Sequence, residues 1–256
     1  ASAPVLAAVA PNLGSAYGYA VLGTNAVAIP GTVTCTGPGT ITGQVGTTFA
    51  GGITNVPACA ITGPIVSPVP AGVVADFQAA FAAVDTLNPV CDGVIPIVTT
   101  TLAPGVYCSN AGTTIGAGVI LTLNGTANDV WVFRVGILGP PSALTLTNAQ
   151  VVMGGTALPC NVYWKTSAAM TSTTSTFVGT VLSGAAATMS GGNWTGRMMA
   201  TTDATLTNPA PMTFAGCSAP VAGIPTLSEW AMIMLAGLLA LAGFVAVRRR
   251  ARFSSN

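Results

Sequence analysis

General acid–base and nucleophilic catalysis draw first on histidine, and the 256-residue chain contains none. That absence removes the commonest proton acceptor, the usual partner of a nucleophilic serine or cysteine, and the commonest metal ligand. Carboxylates are the next resource, and up to residue 224 they are Asp76, Asp85, Asp92, Asp129 and Asp203. Polysaccharide cleavage, which some β-helical proteins perform, needs clustered carboxylates, often with calcium and a cationic base. These aspartates are dispersed, so the expectation is a non-enzyme with no catalytic residue, metal or cofactor. Asp129 and Arg134 are expected to hold a turn and a partner strand instead. The cations of the same stretch, Arg134, Lys165 and Arg197, are too few and too scattered to neutralise a row of phosphates, which excludes nucleic acid as a partner.

The six cysteines, Cys35, Cys59, Cys91, Cys108, Cys160 and Cys217, include no Cys-x-x-Cys pair. Zinc and thiol redox chemistry are therefore poorly supported, and disulfides are the expectation for an exported chain. Order along the sequence suggests Cys35 with Cys59, Cys91 with Cys108 and Cys160 with Cys217, one of about fifteen possible pairings.

Hydroxyls are the functional groups left in quantity. Charged residues make up 5% of the chain, against roughly 25% in ordinary globular proteins, so the surface must be wetted by hydroxyls and backbone. Three late segments, Ala169-Met170-Thr171, Thr188-Met189-Ser190 and Thr205-Leu206-Thr207, look like copies of one unit, with Met170, Met189 and Leu206 spaced 19 and 17 residues apart. A loose repeat near 18 residues fits one turn of a solenoid. Companion strands are expected at Asn161 to Trp164, Thr176 to Leu182 and Trp194 to Ala200. Strand side chains alternate in direction, so each apolar residue points inward and its Thr or Ser neighbours point out. The candidate face is therefore Thr171, Thr173, Thr188, Ser190, Thr205 and Thr207. The alternating runs Leu121 to Asn124 and Leu144 to Thr147 extend it by Thr122, Thr145 and Thr147. Trp131, Trp164 and Trp194 sit among apolar neighbours and read as core.

The elements that must position this face are mostly short strands, since Val/Ile/Thr/Leu runs alternate with Gly, Ser, Asn and Pro. One segment, Ala71 to Leu87, has helical spacing, with Val73, Val74, Phe77, Phe81, Val84 and Leu87 on or beside one stripe. Pro70 precedes it and Asn88-Pro89 stops it. The C-terminus differs in kind. Ile224-Pro225-Thr226-Leu227-Ser228-Glu229-Trp230 leads into an uncharged run from Ala231 to Val247, closed by Arg248, Arg249 and Arg250. That run is read as a transmembrane helix over residues 230–247, with the arginines cytoplasmic and residues 1–224 outside. The Ala-rich start, ASAPVLAAVA, reads as the stretch just after a signal-peptide cleavage site.

Two resemblances add to this reading. The tail is similar to the IPTL-type carboxy-terminal sorting signal, in which an Ile-Pro-Thr-Leu motif, a hydrophobic helix and a basic end follow in that order. This implies membrane retention during export, with possible cleavage by a sortase-like membrane protease. From about Leu13 to Phe214 the chain resembles the ice-binding proteins of bacteria, algae and fungi. The resemblance is carried by Leu13-Gly14-Ser15 leading to Tyr19-Ala20-Val21-Leu22-Gly23, and by Ile41-Thr42-Gly43-Gln44-Val45-Gly46, where Gln44 stands in place of the family's Asp. It continues through the Ala-rich helix, Leu102 to Tyr107, Asn128 to Gly136, Cys160-Asn161-Val162-Tyr163-Trp164, Phe177-Val178-Gly179-Thr180-Val181-Leu182 and Asn193 to Arg197.

The fold that the resemblance implies is mainly β: a right-handed discontinuous β-solenoid with one long α-helix packed alongside. The transmembrane helix is added to it at the C-terminus. The expected layout is an N-terminal segment at 1–12, the solenoid domain at 13–218, a linker and sorting motif at 219–229, and a hydrophobic anchor with a basic end at 230–256. The implied partner is ice or an ordered water surface, met by the Thr/Ser face. The alternative is a self-assembling structural or adhesive surface protein that forms a filament, surface layer or biofilm component from the same fold. Either would be exported to the cell surface or beyond, anchored at least transiently through the C-terminal helix.

Overall fold

Apolar residues alternating with hydroxyls, cut every few positions by Gly, Asn or Pro, make strands too short to fold alone, so they are stable only when stacked on copies of themselves. The computed structural model of the protein describes residues 7–25, 31–56, 59–137, 139–209 and 212–213. Within them the strands form a 15-stranded and a 7-stranded sheet, and the pairings are parallel. The pairings resolve into three ladders, each a wall of a solenoid-like stack.

The first wall runs Gly93–Val94, Gly105–Ser109, Trp131–Val135, Val162–Thr166, residues 180–183, residues 197–200, Tyr19–Gly23, Gln44–Thr47 and Ile65–Val66. The second is the 7-stranded sheet, in the order Thr113–Ile115, Leu144–Thr147, Met170–Thr173, Ala187–Ser190, Ala204–Thr207, Val33–Thr36 and Ile53–Asn55. The third begins with Thr100–Leu102, Ile120–Gly125 and Gln150–Gly155, passes through residues 176–179 and 193–196, and ends at Met212–Thr213, Gly39–Thr42 and Cys59–Ile61. The stack is discontinuous in sequence, because the coil that opens the chain lies beyond the one that closes it. Tyr19–Gly23 pairs with Asn193–Ala200 on one side and Gln44–Thr47 on the other.

Two strands, Thr176–Ser183 and Asn193–Ala200, turn from the third wall into the first without a break. They bend at Gly179 and Gly196, paired across the ladder with φ of 113° and 147°. A Cβ on Gly196 would stand 2.0 Å from the Gly179 carbonyl oxygen, so only glycine fits the corner.

Inside the stack, Phe133 lies on Trp164 with ring centroids 3.7 Å apart, and Phe177 and Trp194 continue the column. Trp131, Trp164 and Trp194 are fully buried, and their indole N–H groups donate to the carbonyls of Leu102, Val178 and Gly179.

A second apolar cluster joins the helix, Ala71–Leu87, to the outer side of the first wall. Val73, Phe77, Ala80 and Val84 are buried there against Val106, Val132, Tyr163, Leu182 and Met199. The buried stripe is narrower than the sequence suggested: Val74 and Phe81 are partly buried, and Leu87 is 41% exposed. Asp85 adds ion pairs to Arg134 at 2.9 Å and Lys165 at 2.5 Å. Burying Val73, Phe77 and Val84 is worth about 1.5–3 kcal/mol each, whereas an ion pair with a half-exposed carboxylate contributes about 1 kcal/mol or less. Apolar contact therefore holds the helix, and the charges set its register.

Disulfides join Cys35 to Cys59 and Cys91 to Cys108, with Cα atoms 6.0 and 5.8 Å apart. The third expected pairing involves Cys217, which lies outside the described residues, as do the sorting motif at 224–230 and the hydrophobic run at 230–247. Among the described residues no helix is long and apolar enough to cross a membrane.

Candidate functional site

The second wall carries the hydroxyls in register. Thr114 is opposite Thr145, and the row continues through Thr171, Thr188, Thr205 and Thr34 to Thr54, one threonine per coil across seven strands. Two positions further along the five inner strands runs a second row, Thr147, Thr173, Ser190, Thr207 and Thr36. The intervening residues point inward and are buried; Leu146, Ser172, Met189, Leu206 and Cys35 form one such inner row. The core thus fixes which side chains face out. Neighbours in a row stand about 4.7–4.9 Å apart and the rows about 6.4–6.8 Å apart, the spacings of the β-ladder itself.

These hydroxyls differ from others in the molecule in what they bond to. At the corner between the first and second walls, Thr166 and Ser183 donate to the Ala168 carbonyl, Thr24 to Ala200 and Thr47 to Gly31. In the long row of the second wall, no threonine hydroxyl is hydrogen-bonded to another described residue, and in the shorter row one contact, Thr36 to Thr207 at 3.5 Å, joins two of its own members. Neither row contains a titratable group. The wall offers water a regular set of methyls and hydroxyls whose bonding capacity, that one contact apart, is not used among the described residues.

Of the residues expected on this face, Thr145, Thr147, Thr171, Thr173, Thr188, Ser190, Thr205 and Thr207 share the wall. Thr122 does not, and the expectation is corrected: it lies on the third wall, opposite Thr101 and Val152. Alternation tells which residues point outward, but not onto which wall a coil has brought them. Thr114, Thr34, Thr36 and Thr54 were missed. Val33-Thr34-Cys35-Thr36 has the same alternation as Ala204-Thr205-Leu206-Thr207, and that signal could have found it.

The aspartates are engaged in structure. Asp76 accepts from the Ser15 amide and hydroxyl, Asp92 from the Val106 amide, Asp129 from the Thr126 amide and hydroxyl, and Asp203 from the Thr32 amide and hydroxyl. Ser15's bonds hold the Asp76 carboxyl below the usual carboxylate range. Arg134 binds Asp85 and the Asn88 carbonyl, on the helix rather than on Asp129. A cavity of about 150 Å³ beside this cluster is lined by Phe81, Asp85, Arg134, Ile137, Lys165 and Ser167 among others. Its one carboxylate is already paired to both cations. Among the described residues, no three metal-ligating side chains converge.

Residues 27–210 match the model of the family described as Ice-binding-like, and residues 222–250 match the IPTL-CTERM motif. A curated ice-binding protein from Flavobacterium frigoris (strain PS1) is 36% identical over 139 residues, 52% of this chain and 48% of that protein. The chain therefore spans about half the length of the curated relative it matches. Among solved structures, the ice-binding protein of the Antarctic ascomycete Antarctomyces psychrotrophicus is 23% identical with a TM-score of 0.69, covering 82% of this chain and 100% of that one. An ice-binding protein from an Antarctic biological consortium is 25% identical at 0.69, covering 82% and 95%. Another, from an Antarctic Flavobacteriaceae bacterium, is 28% identical at 0.65, covering 82% and 49%.

Proposed function

Because the chain belongs to the Ice-binding-like family and carries an IPTL-CTERM motif, we propose that it is an exported, non-enzymatic ice-binding protein that meets ice through the threonine wall. The single observation that carries this reading is the unbroken row from Thr114 to Thr54, one hydroxyl per coil with no partner among the described residues. Ice presents no charge and no pocket, only a regular array of water oxygens. A row of roughly 29 Å at the β-ladder spacing can hold waters at its hydroxyls while the methyls limit their alternatives. Threonine's restricted χ1 also means that little rotamer freedom is lost on binding. The sorting motif supports delivery to the cell surface, with residues 230–247 held in the membrane at least transiently and cleavage by a sortase-like protease as the release step.

The test is substitution at the middle of the row. Thr188→Tyr and Thr205→Tyr each place a large ring across two neighbouring coils, and each should abolish thermal hysteresis and retention in an ice fraction while leaving the circular dichroism spectrum in place. Unchanged ice retention in both variants would remove this wall from consideration.

A second reading, self-assembly into a structural or adhesive surface layer, is favoured by the ends of the stack. Phe49, Val56 and Ile65 are exposed around the terminal coil at one end, and Val90, Val94, Ile97 and Val98 around the terminal coil at the other. Both ends leave strand edges available for pairing. Electron microscopy of the purified protein separates the two readings: ordered filaments support assembly, and monomers that shape ice crystals support ice binding.

A further inference from the structure

Several coils leave the threonine wall through a residue in the left-handed backbone region: Asn148 at φ 49°, Thr174 at 48°, Gly191 at 64°, Asn208 at 45° and Gly37 at 76°. Four of their amides continue the ladder. Asn148 donates to the Thr173 carbonyl, Thr174 to Ser190, Gly191 to Thr207 and Asn208 to Thr36, at 2.7–2.9 Å. The corner is therefore a third file of residues, stacked at the same interval as the rows beside it.

Glycine takes this backbone freely and asparagine readily, but a β-branched residue is a genuine outlier there. Thr174 is that residue, near the middle of the stack. The ladder bond to Ser190 and the buried Ser175 beside it hold the backbone here, but neither calls for a threonine: the side chain is exposed, and its hydroxyl is not hydrogen-bonded to another described residue. A Cβ added to Gly191 would lie 3.5 Å from the Thr174 methyl carbon, in ordinary contact, so the glycine there leaves that methyl without a side-chain neighbour on that coil. At Asn208 the side chain instead lies over Gly37, with Oδ1 1.8 Å from where a Cβ would be. A strained residue type kept at an exposed position, with no side-chain contact that requires it, points to use of the side chain outside the molecule.

The geometry points to Thr174 as a further ice-contact residue, one that widens the array from two files to three beside Thr173 and Ser190. This rests on the threonine wall being the ice-binding face. Its chemistry is that of the rows: one methyl and one hydroxyl offered to ordered water, at the edge where the wall turns into the next.

The test uses the full chain with Thr174→Asn and Thr174→Gly, both suited to a left-handed corner. Each should raise Tm by about 2–4 °C, the shift expected for a domain of this size when modest backbone strain is removed, and each should lower thermal hysteresis. Thr174→Val, which keeps the strain and shape but deletes the hydroxyl, should lower hysteresis with no gain in Tm. Higher Tm with undiminished hysteresis in the Asn and Gly variants would overturn the proposal, as would a fall in Tm. Thr188→Tyr, measured alongside, separates the two levels. If it too leaves hysteresis intact, the wall itself is not the ice-binding face; if it abolishes hysteresis and the Thr174 variants do not lower it, the corner alone is refuted.

Discussion

Asp76 reaches from the helix to the 3-10 turn Gly14–Gly18 ahead of the first strand, where it accepts from both the amide and the hydroxyl of Ser15, at 2.7 and 2.6 Å. Hydrogen bonds to the charged form favour that form, so the folded carboxyl titrates below its ordinary range. A depressed folded pKa contributes stability that is present above the unfolded value, near 3.9, and is lost as pH falls through the folded one. The parent should therefore lose Tm on acidification below about pH 4 more steeply than Asp76→Asn, whose amide oxygen still accepts the Ser15 bonds but carries no charge to protonate. Thermal melts from pH 6 to pH 2 on both proteins measure this. Parallel acid limbs would mean that the contact does not couple to folding.

At the scale of elements, the sequence pattern and the chain's turns carry different kinds of information. Inward and outward faces were legible on the second wall between Leu144 and Thr207, because Leu144, Met170 and Leu206 alternate there with hydroxyls. They were not legible on the first wall, where strands such as Trp131–Val135 are buried on both faces between the core and the helix. The helix Ala71–Leu87 was legible to the residue, since Pro70 and Asn88-Pro89 bound it. Wall assignment was not. Thr122 reads like Thr145, yet the residues between them carry the chain through two corners, along the first wall at Trp131–Val135 and onto the second, and no local property of a strand records how many corners precede it. The first coils were invisible to a count from the repeat for a related reason: Val33–Thr36 stacks on Ala204–Thr207 across 171 residues of sequence, at hydroxyls 3.5 Å apart. Corners are where single residues decide the architecture. Gly196→Ala would bring a Cβ to 2.0 Å from the backbone oxygen of Gly179, in a conformation that side chains rarely adopt. Neither backbone can retreat without breaking the ladder, so the substitution should cost about 2–3 kcal/mol. Chemical denaturation reads this directly, and a loss under about half a kcal/mol would mean that the corner relaxes more easily than its packing implies.

For the whole molecule, the separation of charge from the threonine wall has a consequence for when it can work. The three cations of the described residues all face the helix side of the stack: Arg134 and Lys165 on Asp85, and Arg197 over the Tyr17 ring at 3.9 Å. The aspartates hold loops, a turn and the helix, and neither hydroxyl row contains a group that gains or loses a proton. Between about pH 5 and 9 the side chains that ordinarily change charge are histidine, which the chain lacks, and the cysteine thiol, which the rows lack. A wall that binds water through hydroxyl and methyl alone should therefore bind ice equally across that range, provided the fold persists. Retention of the protein in a growing ice fraction at pH 5, 7 and 9, with circular dichroism confirming the fold at each, should give the same partition. A step between two of these values, with the spectrum unchanged, would require a titrating group at the contact, and the uncharged wall could not then be the surface that meets ice.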